Sequence, residues 1–392
     1  MPLREKTVCD ILNQMGEAPE LRKEKYLKEK KQKRGLKATL QKYAKRYFID
    51  AMGAMASGLF ASLLMGTIIK TLGEQLGKLL AGSQLQFITD ALVEMGALGN
   101  VVSGCAMAIA IGYALKADPL VLFSLAMVGY ATNAKGGAGG PLAVLVVAIV
   151  ASEIGMLVSK KTKVDVIVTP CVTIVVGCTL AFLIAEPIGK GAAALGEIIR
   201  WATLQQPLIM GVVISVIMGM ILTLPISSAA ICHSLGLTGL AGGAAVAGCC
   251  AQMIGFAVIS FRENRWGGLL AQGLGTSMLQ VPNIFKNPRI WIAPTLASAI
   301  TGPLATVLFK LEMNGAPISS GMGTCGMVGP IGVITGWLSP FAEGASAINP
   351  STMDWIGLLL ICIVLPAVLS LVFDFLLRKI GWVKDGDMKL DL

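Results

Sequence analysis

Runs of about twenty mostly apolar residues recur from Ala51 to Leu377, and at ~1.5 Å of rise per residue each can cross a hydrocarbon core ~30 Å thick. Hydrocarbon offers backbone N–H and C=O groups no partners, so each segment must satisfy its own in a helix or share them in a closed barrel. The runs lack the alternating period of barrel strands, which leaves helices. The expected class is all-α: a polytopic membrane protein of about ten transmembrane helices with re-entrant or broken segments. Composition agrees, since hydrophobic residues make up 55% of the 392 and charged ones only 14%, too few to clothe a soluble domain of this length.

Charge is concentrated at one place. Residues 1–46 hold 14 Lys/Arg and 6 Asp/Glu, which is +8 of the formal +9, so the remainder is nearly neutral. A basic arm before the first span stays in the cytoplasm by the positive-inside rule, and an even number of crossings would put both termini there. The arm's alternating Lys and Glu suit attraction to anionic lipid rather than nucleic acid, and a cleaved signal peptide is not expected. The nine cysteines lie mostly inside apolar runs, without metal-ligand spacing and with a single histidine, so they read as small buried residues. No metal and no cofactor is expected.

Four segments follow: the arm at 1–46, a first membrane half at 47–205, a second at 206–378 and a cytoplasmic tail at 379–392. Within the first half, Ala51–Thr71 reads as a span and Glu74–Glu94 as an interfacial amphipathic piece. Lys190–Gln205 reads as an amphipathic connector between halves. Two glycine-rich stretches cannot be ordinary lipid-facing helices: Asn133–Pro141, with Asn133 and Lys135, and Asn314–Pro330, with Thr324. A third interruption, Ser227–Ser234, contains Ser227, Ser228 and His233.

An ionisable group in the membrane costs ~2.5 kcal/mol or more at a helix centre, so each needs a partner, water or a function. Lys135, Glu153, Glu186, His233, Glu263 and Glu343 are the main ones. His233 is the only histidine, and Glu343 is the only acid between Glu312 and Asp354. A carboxylate accepts hydrogen bonds from hydroxyls, and a neutral imidazole offers one donor and one acceptor. The pair therefore suits a neutral, hydroxyl-rich ligand better than a metal ion. Lys135 either lines a polar cavity or bonds carbonyls of the broken helix. Arg262, Glu263 and Arg265 are expected to pair with one another or with lipid headgroups. No P-loop and no credible Ser/His/Asp order is present, so neither ATP hydrolysis nor triad chemistry is expected in this chain.

Four stretches together resemble the membrane-embedded IIC component of the bacterial phosphoenolpyruvate-dependent sugar phosphotransferase system, in particular the stand-alone branch that includes perfringolysin-regulator-like proteins. They are Asn133–Pro141, Pro225–His233, Arg262–Gly268 and Ser320–Pro330. The resemblance, which covers roughly Ala51–Leu377, implies a IIC-like homodimer in the bacterial plasma membrane. Its first helices would make the dimer contact, and its second half would carry a sugar or polyol as an elevator. A histidine and a later glutamate bind the sugar in such relatives, and His233 and Glu343 could correspond, although Gly344 stands where the relatives place a proline. The substrate set expected here is His233, Glu343, Lys135, Asn133, Ser227, Ser228 and Thr324. The arm and tail are too short to fold as a IIB domain, so Cys9 is not expected to be a phosphorylated cysteine and the phosphotransfer partners, IIB and IIA, would be separate proteins. A membrane sensor built on the same fold and an ion-coupled secondary transporter are the alternatives.

Overall fold

The computed structural model of the chain describes residue 43 and residues 45–80, 82, 85–338, 340–341 and 346–390. The expectations for Cys9, for nearly all of the basic arm and for Glu343 lie outside the described residues. The chain divides into two units, Met1–Phe48 and Ile49–Leu392. In the first, the rings of Tyr43 and Tyr47 stack with centroids 5.9 Å apart. The second carries the membrane fold.

That fold is all-helical among the described residues, with one isolated bridge between Gly239 and Met313. A π turn joins α1 (Ala51–Leu59) to α2 (Met65–Leu79), and α3 (Gln86–Ala114) runs back beside them. Next come α4 (Pro119–Gly136), α5 (Gly140–Val158) and α6 (Asp165–Thr203). The second half holds α7 (Pro207–Thr223), α8 (Ser228–Ser234), α9 (Gly239–Ile259), α10 (Phe261–Leu270), α11 (Val281–Lys286), α12 (Ile292–Pro303) and α13 (Val328–Leu338). A second π turn joins α14 (Thr352–Leu359) to α15 (Leu365–Lys379). Prolines open α4 and α7, where a missing N–H costs nothing, and a Ser351–Asp354 capping box opens α14.

Among the described residues, seven helices are long and apolar enough to cross a membrane. One of them, Pro119–Val158, contains both α4 and α5, and Pro207–Thr223 and Cys325–Leu338 are shorter apolar helices. The stretches between the full-length helices of the second half are short helical turns, which is where a count from apolar runs diverges from one by helix length. Two local expectations are corrected. Glu74–Glu94 is not one interfacial helix: it ends α2, turns, and begins α3, and the two helices pack on each other with Leu92 and Val93 against Gly73. Lys190–Gln205 is not a separate connector but the last turns of α6, which continues through Pro187 while Glu186 and Lys190 pair across it at 2.9 Å.

The centre of the second half is α9. Of its apolar window 89% is buried inside the fold, and it packs against α7, α12 and α15. Its Gly/Ala-rich sequence permits this, since small residues let backbones approach where hydrocarbon gives no hydrophobic drive to helix association. At Gly248 a Cβ would overlap the Ser215 carbonyl of α7. Ser298 of α12 also points its hydroxyl at the Gly248 carbonyl, 3.4 Å away.

One end of this half gathers groups far apart in sequence. Arg378 binds Asp374 at 2.6 Å, Asp385 at 2.6 Å and Glu263 at 3.5 Å. Residues 381–390 then fold back over the starts of α10 and α12. Glu263 therefore pairs with Arg378, and its other oxygen accepts from the Met388 N–H at 2.9 Å, in place of the expected pairing with Arg262 and Arg265.

Gly248→Val should cost ~1–3 kcal/mol through overpacking, read as a lower melting temperature of the purified protein. Gly191→Ala, at a helical site of α6 with open space for the Cβ, should raise it slightly. Between α3 and α6, the hydrogen bond from Lys160 holds the Asp118 carboxyl below its ordinary range. A depressed carboxyl stabilises the folded state above its unfolded pKa and loses that contribution as pH falls through the lowered value. The stability gap between wild type and Asp118→Asn should thus be constant above about pH 4 and shrink below it.

Candidate functional site

Four interruptions of helical backbone converge on one small cavity. The first is the glycine break between α4 and α5, where Gly137 takes φ +51° and ψ −124°, a backbone state that any side chain would strain. The second is Leu224–Ser227, between α7 and α8. A hairpin at 271–280 supplies the third, in which a π turn, an extended Thr276 and a 3-10 turn follow one another. Gly321–Cys325, before α13, is the fourth.

These breaks satisfy one another. The Ser227 N–H donates to the Ala138 carbonyl at 2.8 Å, linking the two halves of the chain, while the Ser227 hydroxyl accepts from the Ala230 N–H to cap α8. The Ser228 hydroxyl donates to the Gly321 carbonyl at 2.6 Å, and the Thr324 hydroxyl donates to the Gly273 carbonyl at 2.5 Å. Each hydroxyl meets a carbonyl that a broken helix has released, which is the requirement for irregular backbone at membrane depth.

The cavity has a volume of about 70 Å³. Leu59, Leu63, Leu64 and Pro141 line it from the first half, and Ser227, Ser228, Gly275, Thr276, Met322 and Cys325 line it from the second. Small-molecule pockets usually measure about 300–1,000 Å³ and a water takes about 30 Å³, so this space suits a couple of waters. A polyol could enter only if the lining segments moved apart.

Of the residues expected from sequence, Ser227 and Ser228 line the cavity, and Thr324, fully buried, sits directly before its Cys325 wall. Asn133 lies behind the first break: its amide donates to the Ser103 hydroxyl at 3.2 Å, and its Oδ1 fills the space a Gly140 side chain would need. Lys135 is exposed, with its ammonium 4.9 Å from the Phe182 ring centroid, so it lies over an aromatic face and not among the lining residues. His233 is exposed near the far end of α8, about 8 Å of helix rise from Ser228. The next residues, Ser234 and Leu235, line a second, more open cavity of about 320 Å³ with Arg200 and Thr203.

Uncharged amides, which a search for ionisable groups passes over, form the support. Gln252, fully buried on α9, accepts from the Trp291 indole N–H at 3.0 Å and donates to Thr295 at 3.1 Å. Its Oε1 and the Ser277 hydroxyl both lie against the Thr223 hydroxyl, at 3.3 and 2.9 Å. A second ladder crosses the hairpin: Gln280 donates to Gln272 at 2.9 Å, and Gln272 to Ser260 at 2.8 Å. The tail completes it. The Met388 carbonyl accepts from Gln280 at 3.0 Å and from Asn264 at 2.8 Å, the Lys389 carbonyl accepts from Asn283 at 2.9 Å, and the Leu390 N–H donates to Asn264 Oδ1 at 2.8 Å. Gln252, Gln272 and Gln280 within the otherwise apolar runs Leu237–Phe261 and Leu269–Val281 were the available signal.

A sequence model of the family described as "Phosphotransferase system, EIIC" matches residues 49–390. No curated protein matches the chain.

Because the tail satisfies two buried amides, Gln280 and Asn283, and the half-buried Asn264, its removal leaves groups whose desolvation costs up to ~1–3 kcal/mol each. Deleting residues 382–390 should raise hydrogen exchange of amides at 271–283 by at least tenfold, with little change in the middle of α3. Equal protection of the hairpin in both proteins would show that the tail does not support it.

Proposed function

The chain belongs to the phosphotransferase-system EIIC family, and from that premise we propose that it binds a sugar or sugar-like polyol at the meeting point of the four broken segments and carries it inward by an elevator-type displacement of its second half. The family makes it a membrane permease component of a sugar phosphotransferase system, multi-pass in the bacterial plasma membrane. The observation that carries the finer reading is the cavity walled by both halves, lined by residues of three interruptions and, beside the fourth, by Pro141. A site between two halves opens when one moves against the other, and broken helices bring backbone dipoles to a ligand at mid-membrane depth.

In this reading, the Ser228 and Thr324 hydroxyls exchange their carbonyl partners, and the Ser227 hydroxyl its Ala230 N–H, for substrate hydroxyls as the segments part. His233 and Glu343 hold the ring hydroxyls in the loaded state, and Asn133 and Lys135 keep the first break in shape. The second half, 206–378, is the moving part, and the first half, 47–205, makes the homodimer contact. Separate IIB and IIA proteins supply the phosphoryl group, and the basic arm holds anionic lipid on the cytoplasmic side with both termini. The motif set at 133–141, 225–233, 262–268 and 320–330 supports the perfringolysin-regulator-like branch.

Uptake of a radiolabelled sugar into proteoliposomes should fall at least tenfold in His233→Ala and in Glu343→Gln, each variant inserting and dimerising as wild type does. Undiminished uptake in both would sink the assignment of those two residues. Uptake that follows an imposed proton or sodium gradient and ignores the phosphoryl donor would favour an ion-coupled transporter. Ligand binding without uptake would favour a sensor.

A further inference from the structure

We propose that the cleft where the ends of α9, α10 and α15 meet binds the headgroup of an anionic phospholipid, with Arg262 as the group that takes the phosphate. The cleft has a volume of about 490 Å³ and its walls include Phe261, Leu269, Leu371 and Phe375. Leu371 and Phe375 are exposed side chains on a membrane-crossing helix, so acyl chains are their natural cover. Arg262, Asp374 and Arg378 are its charged lining groups.

Two of those charges are already spent. Arg378 is held by the three carboxylates of Asp374, Asp385 and Glu263, and Asp374 in turn is held by Arg378. Arg262 is different: it is exposed, and among the described residues no hydrogen bond or ion pair holds its guanidinium. A guanidinium at the rim of an apolar cleft that no carboxylate holds can take a phosphate monoanion through two parallel N–H bonds. Trp266 packs on the Phe261 wall of the cleft, its ring edge-on with centroids 5.4 Å apart, and aromatic side chains of this kind collect at headgroup level. This end also carries Lys286, Arg289, Lys379, Lys384 and Lys389, the excess that the positive-inside rule assigns to the cytoplasmic leaflet, where anionic lipids collect. The site is separate from the cavity of the four breaks and does not depend on the transport reading.

The full chain, purified in mild detergent, would be exposed to equal amounts of phosphatidylglycerol and phosphatidylcholine, and the retained lipids counted by native mass spectrometry. Wild type should retain phosphatidylglycerol preferentially. Arg262→Gln should weaken that retention about fivefold, Arg262→Lys should restore part of it, and Arg265→Gln, which removes an exposed charge outside the cleft, should leave it unchanged. Retention by Arg262→Gln equal to wild type would overturn the proposal. So would equal losses in Arg262→Gln and Arg265→Gln, which would mean surface charge alone, or equal retention of the two lipids by wild type. Matching melting temperatures of the variants exclude loss through unfolding.

Discussion

A helix that breaks within hydrocarbon releases carbonyls and N–H groups that lipid cannot satisfy, and the second half of this protein is organised around that cost. Each unpaired group would be worth several kcal/mol in such surroundings. The breaks are therefore brought together, so that what one releases another uses: Ser227 with Ala138, Ser228 with Gly321, Thr324 with Gly273. The small cavity between them follows from this arrangement, because segments that lack regular side-chain interdigitation leave space where they meet. Broken backbone and candidate site are one feature.

Much of this was legible in the residues and part was not. Apolar run length gave the class, and glycine clusters at 133–141 and 314–330 marked two of the four interruptions, because glycine and proline punctuate backbone locally. The hairpin at 271–280 was hidden, since Leu269–Val281 is apolar enough to pass for a short span and its break depends on Thr276 turning extended against tertiary neighbours. The amide ladders were invisible for a related reason: Gln252, Gln272 and Gln280 carry no charge, and only folding shows that each faces another amide or a hydroxyl. The helix α9 is single and of crossing length, and the Arg262–Arg265 stretch at its end lies with the basic tail. Ser227 and Ser228 were nominated for their place in an interruption, and the cavity includes them, whereas His233, chosen for its chemistry, sits away from it on the same short helix.

The closed cavity and the tight packing of α9 address different needs. Around Gly248 backbones touch and nothing can slide by fractions of an ångström, so α7, α9 and α12 form a stiff block. The interruptions, by contrast, are held by single hydrogen bonds between different segments, each worth about 1 kcal/mol net. Stiff blocks joined at weakly bonded seams are the mechanical setting in which domain displacement is cheap.

The tail has a consequence for the order in which the protein is made. Gln280 donates to a carbonyl 108 positions further along the chain, and Asn264 reaches the N–H of a residue 126 positions further on. While the ribosome is still producing α12 to α15, the hairpin has already been synthesised and its amides have no lasting partner. The wall of the cavity built from Gly275, Thr276 and Met278 therefore settles only once residues 388–390 are in place, so the order of synthesis puts the finishing of the hairpin after that of α12 to α15.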